Sequence, residues 1–269
     1  MRCGGRANGS RRTGMSKHVH ATTPKTGAPW GPRRVAIIVA MEMEVAPLLR
    51  KWKRAGKKVE HWDGPGHAAA KSSYRCDGVL ILCAGIGRKP AAMAARAALD
   101  YYEPDLMISA GLAGALNQQL AIGKVLRPAQ VIDAAAGERY ETVRDVAARG
   151  VLVTAASVLS RKAKEQMAQQ FGADAVDMEA AVVAEIARAA GVPFLAVKAI
   201  SDTLDFEMPP MDQFIDSNGR LNLLKLIGWA SVRPNVWPVL GALRRNGKVA
   251  AEALAGELEK MVDGAQGST

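Results

Sequence analysis

Cysteine is scarce in this chain. Cys3, Cys76 and Cys83 are the only three among 269 residues and no CxxC pair occurs, which excludes a disulfide-stapled secreted scaffold and fits a reducing, cytoplasmic setting. Four histidines, two of them at His18 and His20, form no ligand cluster, so neither a metal nor an organic cofactor is expected. No run of about 18 apolar residues exists, and no apolar stretch follows the charged start, so neither a membrane span nor a secretory signal is read. Acid is missing from residues 1–34, which carry eight Lys or Arg; elsewhere 28 bases face all 26 acids. The formal charge of +10 therefore belongs to the amino-terminal segment and the rest is almost neutral. Residues 1–33 are Gly, Ser, Thr, Pro and Arg without apolar period, and are expected to be a disordered basic tail. A nucleic-acid partner is not expected; if one existed, its binding would depend on this tail and on salt.

What is present is a 49% hydrophobic, 23% charged body, large enough for a sizeable core. From Arg34 onward short apolar runs alternate with amphipathic stretches, the pattern of buried parallel strands and crossover helices. Strands are read at Val35 to Ala40, Val79 to Cys83, Asp105 to Ser109, Val151 to Thr154 and Phe194 to Ile200. Val45, Leu48, Leu49 and Trp52 recur at helical spacing before Gly56. Pro90 can start an Ala-rich helix, and further helices fall at about 159–170 and 179–190. A three-layer α/β domain with a mostly parallel, mixed central sheet follows, with residues 34–269 as one domain.

In such sheets ligands bind outside the carboxyl ends of the strands. Met41-Glu42-Met43-Glu44 places two acids where the first strand yields to a helix, a position where helix capping is an equally physical use for a carboxylate. Cys83 to Arg88 and Ala110 to Ala115 read as glycine-rich turns after strands, able to let backbone approach a ligand. Pro90 breaks the dinucleotide fingerprint, and no Gly-Lys-Ser/Thr follows for a nucleotide phosphate loop. Asp177-Met178-Glu179 sits at the start of an apolar helix. Asp202 stands immediately beyond the most hydrophobic strand, where a dry sheet meets a crevice and desolvation can tune an acid.

These segments, in this order over about residues 34 to 205, resemble the purine nucleoside phosphorylase and nucleosidase superfamily, and most closely its methylthioadenosine/S-adenosylhomocysteine nucleosidase branch. The motifs that carry the resemblance are Ala40-Met41-Glu42-Met43-Glu44-Val45, Ala84-Gly85-Ile86-Gly87, Gly111-Leu112-Ala113-Gly114-Ala115, Asp177-Met178-Glu179-Ala180 and Ser201-Asp202. The resemblance implies a phosphorylase/hydrolase-like fold and a homo-oligomer, usually a dimer. It implies that Asp202 protonates N7 of the departing purine and that Glu44 activates the attacking water on the other face of the sugar, a division of labour parallel to two-carboxylate glycosidases. Glu179 would hold the ribose hydroxyls, Met178 would pack on the sugar, and Ala113, Gly114, Leu159 and Ser201 would border the substrate.

The departures from the family are as informative. Leu112 stands where the nucleosidases have Ser near the sugar and the phosphorylases have Ser on phosphate, and Ser109 where hexameric phosphorylases have Arg. Both losses favour hydrolysis over phosphorolysis, because a buried anion needs charge-assisted partners; Arg88 is the remaining candidate cation. The stretch from Asp133 to Gly150 is shorter than in the nucleosidases, and Leu159 takes their aromatic stacking position. Beyond Asp202, Met208-Pro209-Pro210, Gly219-Arg220, Ser231-Val232-Arg233-Pro234 and Trp237-Pro238 resemble the hopanoid-associated phosphorylase branch, which removes adenine from a lipid-linked adenosine. Trp229, Trp237, Arg244 and Arg245 are residue types of interfacial helices, which allows peripheral membrane contact without insertion; the simpler expectation is that the apolar helix near Leu221 to Trp229 covers the sheet. Residues Leu254, Leu258, Met261 and Val262 form one face of a final helix near 248–262. The expectation is a nucleosidase that releases adenine from a 5′-substituted adenine nucleoside in purine catabolism and methionine salvage. The alternatives are a nucleoside phosphorylase, acting on a nucleoside or a lipid-linked adenosine, and a non-catalytic nucleoside-binding protein.

Overall fold

The computed structural model describes residues 34–143 and 147–266; the tail expected at 1–33 lies outside the described residues. In chain order the elements are β1 (Val35–Val39), α1 (Glu42–Arg54), β2 (Glu60–His61), β3 (Ser72–Cys76), β4 (Val79–Cys83), α2 (Arg88–Tyr102), β5 (Leu106–Ala115), β6 (Val125–Leu126), β7 (Gln130–Asp133), β8 (Arg139–Glu141), β9 (Val151–Thr154), α3 (Arg161–Phe171), β10 (Ala175–Asp177), α4 (Ala180–Ala189), β11 (Phe194–Asp202), α5 (Leu223–Ser231) and α6 (Trp237–Gln266). The strands form one mixed sheet in the order β2-β3-β4-β1-β5-β10-β9-β7-β8, with β11 paired to β5 and β6.

Alternation along β1 divides the core. Val35, Ile37 and Val39 face α1 and α6, joined by Leu48, Trp52, Leu254 and Leu258. Ala36 and Ile38 face α2 and α4, among Ala94, Ala98, Val183 and Ala187. Successive strand residues point to opposite faces, so a sheet covered on both sides needs the continuous apolar runs seen in the sequence. The result is the three-layer α/β arrangement. The stripe of Leu254, Leu258 and Val262 is core, buried against α1 and β11.

β5 is the hub of the sheet, and it is longer than the sequence pattern indicates. It runs parallel to β1 only as far as Ser109, whereas its pairing with β11 extends from Met107 to Gly114 and its last residues meet β10 antiparallel. The expected glycine-rich turn at Ala110 to Ala115 is therefore strand: both edges of this stretch are paired or packed, and glycines read as turn signals serve here to make room. Because β1 ends at Val39 while β5 continues, a crevice opens above the carboxyl end of β1. Asp202, expected just beyond its strand, is instead the last residue of β11, one position past a register shift in the pairing.

The carboxy-terminal part also departs from expectation. α5 buries only Ala230 among its nine residues, so it does not cover the sheet. That role belongs to α6, which begins at Trp237, well before the predicted start near 248. Among the described residues no helix is long and apolar enough to cross a membrane.

Candidate active site

Glu44 lies in the first turn of α1 and is 3% exposed. Its Oε2 accepts the N–H groups of Ala40 and Met41 at 3.0 and 2.9 Å, which caps the helix. Its Oε1 reaches across the crevice to accept the Leu112 N–H at 3.2 Å. Capping and site-facing uses thus coexist in one carboxylate. Glu42, its neighbour in the motif, turns away and accepts the Tyr74 hydroxyl at 2.7 Å and the Ser72 hydroxyl at 3.1 Å. Burial pushes the Glu44 carboxyl above its ordinary range, against the lowering pull of those backbone donors and of the Lys198 charge. A buried carboxylate held by fixed amide dipoles results.

Asp202 is also buried. Its Oδ1 accepts the Ser201 hydroxyl at 2.8 Å, and its Oδ2 accepts from the ammonium of Lys164, which donates as well to the Thr203 carbonyl at 2.9 Å. Lys164 belongs to α3 and is itself 2% exposed. Two glycines of β5 make this arrangement possible. A Cβ on Gly114 would stand 2.8 Å from Asp202 Oδ2, and a Cβ on Gly111 would stand 3.2 Å from Glu44 Oε1, at a φ of +146° that side chains rarely adopt. Each acid packs against one of these glycines. Two strand residues, Leu112 and Ala113, stand between these glycines, a rise of three steps or roughly 10 Å, enough for a ribose and the near edge of its base.

Glu179 completes the ring of acids. It is the residue before α4, and its Oε1 accepts the Gly87 N–H at 2.7 Å from the turn that follows β4. Beneath it Asp177 accepts the Thr154 hydroxyl at 2.6 Å and the Ala180 N–H at 2.9 Å, and pairs at 2.8 Å with Lys198, whose ammonium also reaches the Ser109 hydroxyl at 3.1 Å. Burial raises the Glu179 carboxyl to about 7, assisted by the Asp177 charge and opposed by Lys198. For Lys198 burial works towards deprotonation, but Asp177 and Glu179 outweigh it and hold its pKa above the ordinary lysine value. The site floor is a buried network in which one ammonium serves several carboxylates, and its members are fully partnered as buried charge requires.

Glu44, Lys164, Asp177, Glu179, Ser201 and Asp202 all line one cavity of about 750 Å³. The residues expected to act on or border the substrate line it: Glu44 and Asp202, together with Ala113, Gly114, Leu159, Met178, Glu179 and Ser201. Lys164, in the same wall, was not legible beforehand. It sits in Arg161-Lys162-Ala163-Lys164-Glu165, a run indistinguishable in sequence from a solvated helix face, and only the fold turns this one lysine inward. Arg88, the remaining candidate for holding phosphate, is engaged at 2.6 Å by Asp133 and at 3.8 Å by Glu185. The far wall differs in kind. It is built from apolar side chains of α5 and α6, including Leu226, Ile227, Trp237, Leu240 and Leu243, with Met211 below them.

Two buried acids lining one cavity at the carboxyl edge of such a sheet fit a class of enzymes that cleave N-glycosidic bonds. The sequence profile described as the Phosphorylase superfamily matches residues 34–148 and 134–224, and the chain belongs to this family. It is 28% identical over 217 residues to the 5′-methylthioadenosine/S-adenosylhomocysteine nucleosidase of Bacillus subtilis, covering 68% of this chain and 92% of that protein. It is likewise 28% identical over 234 residues to the nucleosidase of the same description from Geobacillus kaustophilus, covering 74% and 97%. Among solved structures it is similar to the apo 5′-methylthioadenosine nucleosidase of Arabidopsis thaliana, with a TM-score of 0.67, 20% identity and coverage of 89% and 98%. The native futalosine hydrolase of Helicobacter pylori gives a TM-score of 0.63 at 20% identity, covering 86% and 98%.

Proposed function

We propose that this protein hydrolyses the N-glycosidic bond of an adenine nucleoside carrying an apolar substituent at C5′ and releases adenine. The observation that carries the reading is the placement of Glu44 and Asp202 in one cavity, each packed against its own glycine of β5. With the ribose between them, Glu44 takes a proton from water as its oxygen bonds to C1′. The C1′–N9 bond breaks, its electron pair passes to the purine, and Asp202 delivers a proton to N7. The Lys164 ammonium, already donating to Asp202 Oδ2, orients that carboxyl and supplies through it the proton that N7 receives; the proton taken up at Glu44 returns to Lys164 through solvent when the products leave. Glu179, when ionised, accepts hydrogen bonds from the ribose hydroxyls; Met178 packs on the sugar; Ala113, Gly114, Leu159 and Ser201 border the base and its linkage.

Water rather than phosphate is the acceptor on electrostatic grounds. The cavity lining holds two cations, Lys164 and Arg244; the first is committed to Asp202 and Thr203, and the second is exposed at the rim. Leu112 supplies no hydroxyl, the Ser109 hydroxyl is fully buried beside Lys198, and Arg88 is bound to Asp133. A phosphate dianion would enter without charge-assisted partners.

The length of the C5′ substituent has a second reading. The apolar wall from α5 and α6 favours a long hydrocarbon substituent, as in a lipid-linked adenosine, over a methylthio group, which would leave much of that wall uncovered. Product analysis on adenosines bearing methylthio, homocysteinyl and long alkyl 5′-substituents, each with and without phosphate, tests both. Free adenine without phosphate is expected, with kcat/KM rising with alkyl length. Absence of adenine from every substrate overturns the reaction, and a strict phosphate requirement overturns hydrolysis in favour of phosphorolysis.

A further inference from the structure

We infer that the face made by α5, the turn that follows it and the start of α6 docks on an anionic membrane surface. Large apolar side chains are usually scattered singly on a protein exterior, yet here they are gathered. Leu224 is 83% exposed, Val232 73%, Ile227 62%, Leu223 59% and Trp237 58%, all within fifteen residues. Their exposure is not a frayed end. Asn222 caps α5 by accepting the Lys225 N–H at 2.9 Å, Trp229 stacks edge-on against buried Phe214 at 5.4 Å, and the Trp237 indole donates to the Ala230 carbonyl at 2.8 Å. Arg233 lies 5.0 Å over the Trp229 ring and donates to the Trp229 carbonyl at 2.9 Å. The patch is held open by its own local bonds.

Charge selects the occupant. From Ser217 to Ala251 the chain contains Arg220, Lys225, Arg233, Arg244, Arg245 and Lys248 and not one Asp or Glu. Apolar residues flanked by bases, with a tryptophan among them, suit the boundary between acyl chains and anionic headgroups. α5, nine residues long and hence roughly 14 Å, can lie in that boundary and cannot span it. A second copy is a poorer occupant, because a two-fold contact would set this basic face against itself. A soluble polyanion would use the bases and leave Leu224 and Val232 in water.

Leu223, Ile227 and Trp237 are at once on the patch and on the cavity wall, so the docking face is also the apolar mouth of the site. Docking stands on the surface alone; its consequence, that a membrane-resident substituent enters through this mouth, rests on the reaction proposed above.

The test is co-sedimentation of the full chain with vesicles of phosphatidylcholine alone and of phosphatidylcholine mixed with phosphatidylglycerol, for the natural sequence and for Leu224→Asp/Val232→Asp. Neither substituted residue lines the cavity, and both are exposed, so thermal melting and adenine release from a water-soluble nucleoside are expected to be unchanged. The natural sequence should bind the anionic vesicles at least about tenfold more tightly than neutral ones, and the double variant should lose about tenfold or more of that binding. Residues 1–34, with their eight bases, are common to both chains and cancel in the comparison. Equal vesicle binding by both chains overturns the proposal, as does no binding by either, or a dimer of the natural sequence that becomes a monomer in the variant. Vesicle binding without nucleoside cleavage would instead overturn the reaction and leave docking intact.

Discussion

One cavity has two walls made on opposite terms. The wall at the strand ends is charged, buried and over-determined: Glu44, Asp177, Glu179, Lys198, Lys164 and Asp202 are each fixed by at least two partners, and a Cβ on the glycine beside Glu44 or beside Asp202 would crowd the carboxylate. The wall from α5 and α6 is apolar and partly exposed. The first has little freedom to change, because removing one member of a buried ionic network leaves another unpaired at a cost of several kcal/mol. The second can exchange one hydrophobic side chain for another at little cost. On the function proposed above, chemistry belongs to the first wall and the choice of substituent to the second.

The strongest way to break this contrast is at the acid. Asp202→Asn is expected to reduce adenine release by about 10³-fold with little change in KM, since the variant can still border the base but cannot pass on a proton; retention of more than a tenth of kcat would remove Asp202 from that role. Lys164→Met should lower kcat by about 10²-fold and alter the pH profile, while Lys164→Arg keeps part of the rate. Both singles leave a buried charge unpaired and should lose on the order of 3–5 kcal/mol in urea unfolding, and Lys164→Met/Asp202→Asn should recover stability without recovering activity. If the double variant is as unstable as the sum of the singles, the two residues are not a coupled pair.

A gentler probe of the same wall is Glu179. Its pKa in the folded protein, about 7, stands above the ordinary 4.5, so between these values the folded state holds a proton that the unfolded chain has released. The stabilising contribution of that proton is complete below about 4.5 and is lost as pH rises through 7. Glu179→Gln should therefore melt higher than the natural protein at pH 8, by on the order of 5 °C, with the difference shrinking towards zero near pH 4.5. Activity should move the other way: the variant loses about tenfold in kcat/KM, and the natural protein shows an acid limb near 7 because the ionised carboxylate is the form that accepts from the ribose hydroxyls. Equal melting temperatures at all pH values would show that burial does not burden this group.

Much of the charged wall was legible in the sequence, for a physical reason. Acids next to strand ends and glycines inside apolar runs violate the local preferences of strands and helices, and such violations concentrate where function needs them. Glu44, Glu179 and Asp202 all stand out that way. Lys164 does not, because a lysine among lysines on an amphipathic helix is ordinary until the fold shows which of them points inward. The glycines of Ala110 to Ala115 misled in the other direction: close approach of a carboxylate to a strand uses the same residue as a turn, and the local pattern does not separate the two. Strands β2, β6 and β8 have two or three residues and no period to read. The exposure of α5 was hidden as well, since Leu223 to Trp229 has the composition of a buried helix and only its position at the rim leaves it in water.

The smallest expected effect is the one that best separates the walls. Ile227 lines the cavity from α5 and is largely exposed, on the wall away from Glu44 and Asp202, so Ile227→Asp should leave kcat and KM for a 5′-methylthio substrate within about threefold. The same change places a carboxylate in the path of a longer hydrocarbon substituent, which would then have to be buried against a charge. Each buried methylene is worth about 0.8 kcal/mol, so the loss in kcat/KM should grow with alkyl length, reaching about tenfold where two methylenes are denied their contact. A length-independent loss would mean that α5 shapes the ribose end after all, and that the division between a reacting wall and a selecting wall is false.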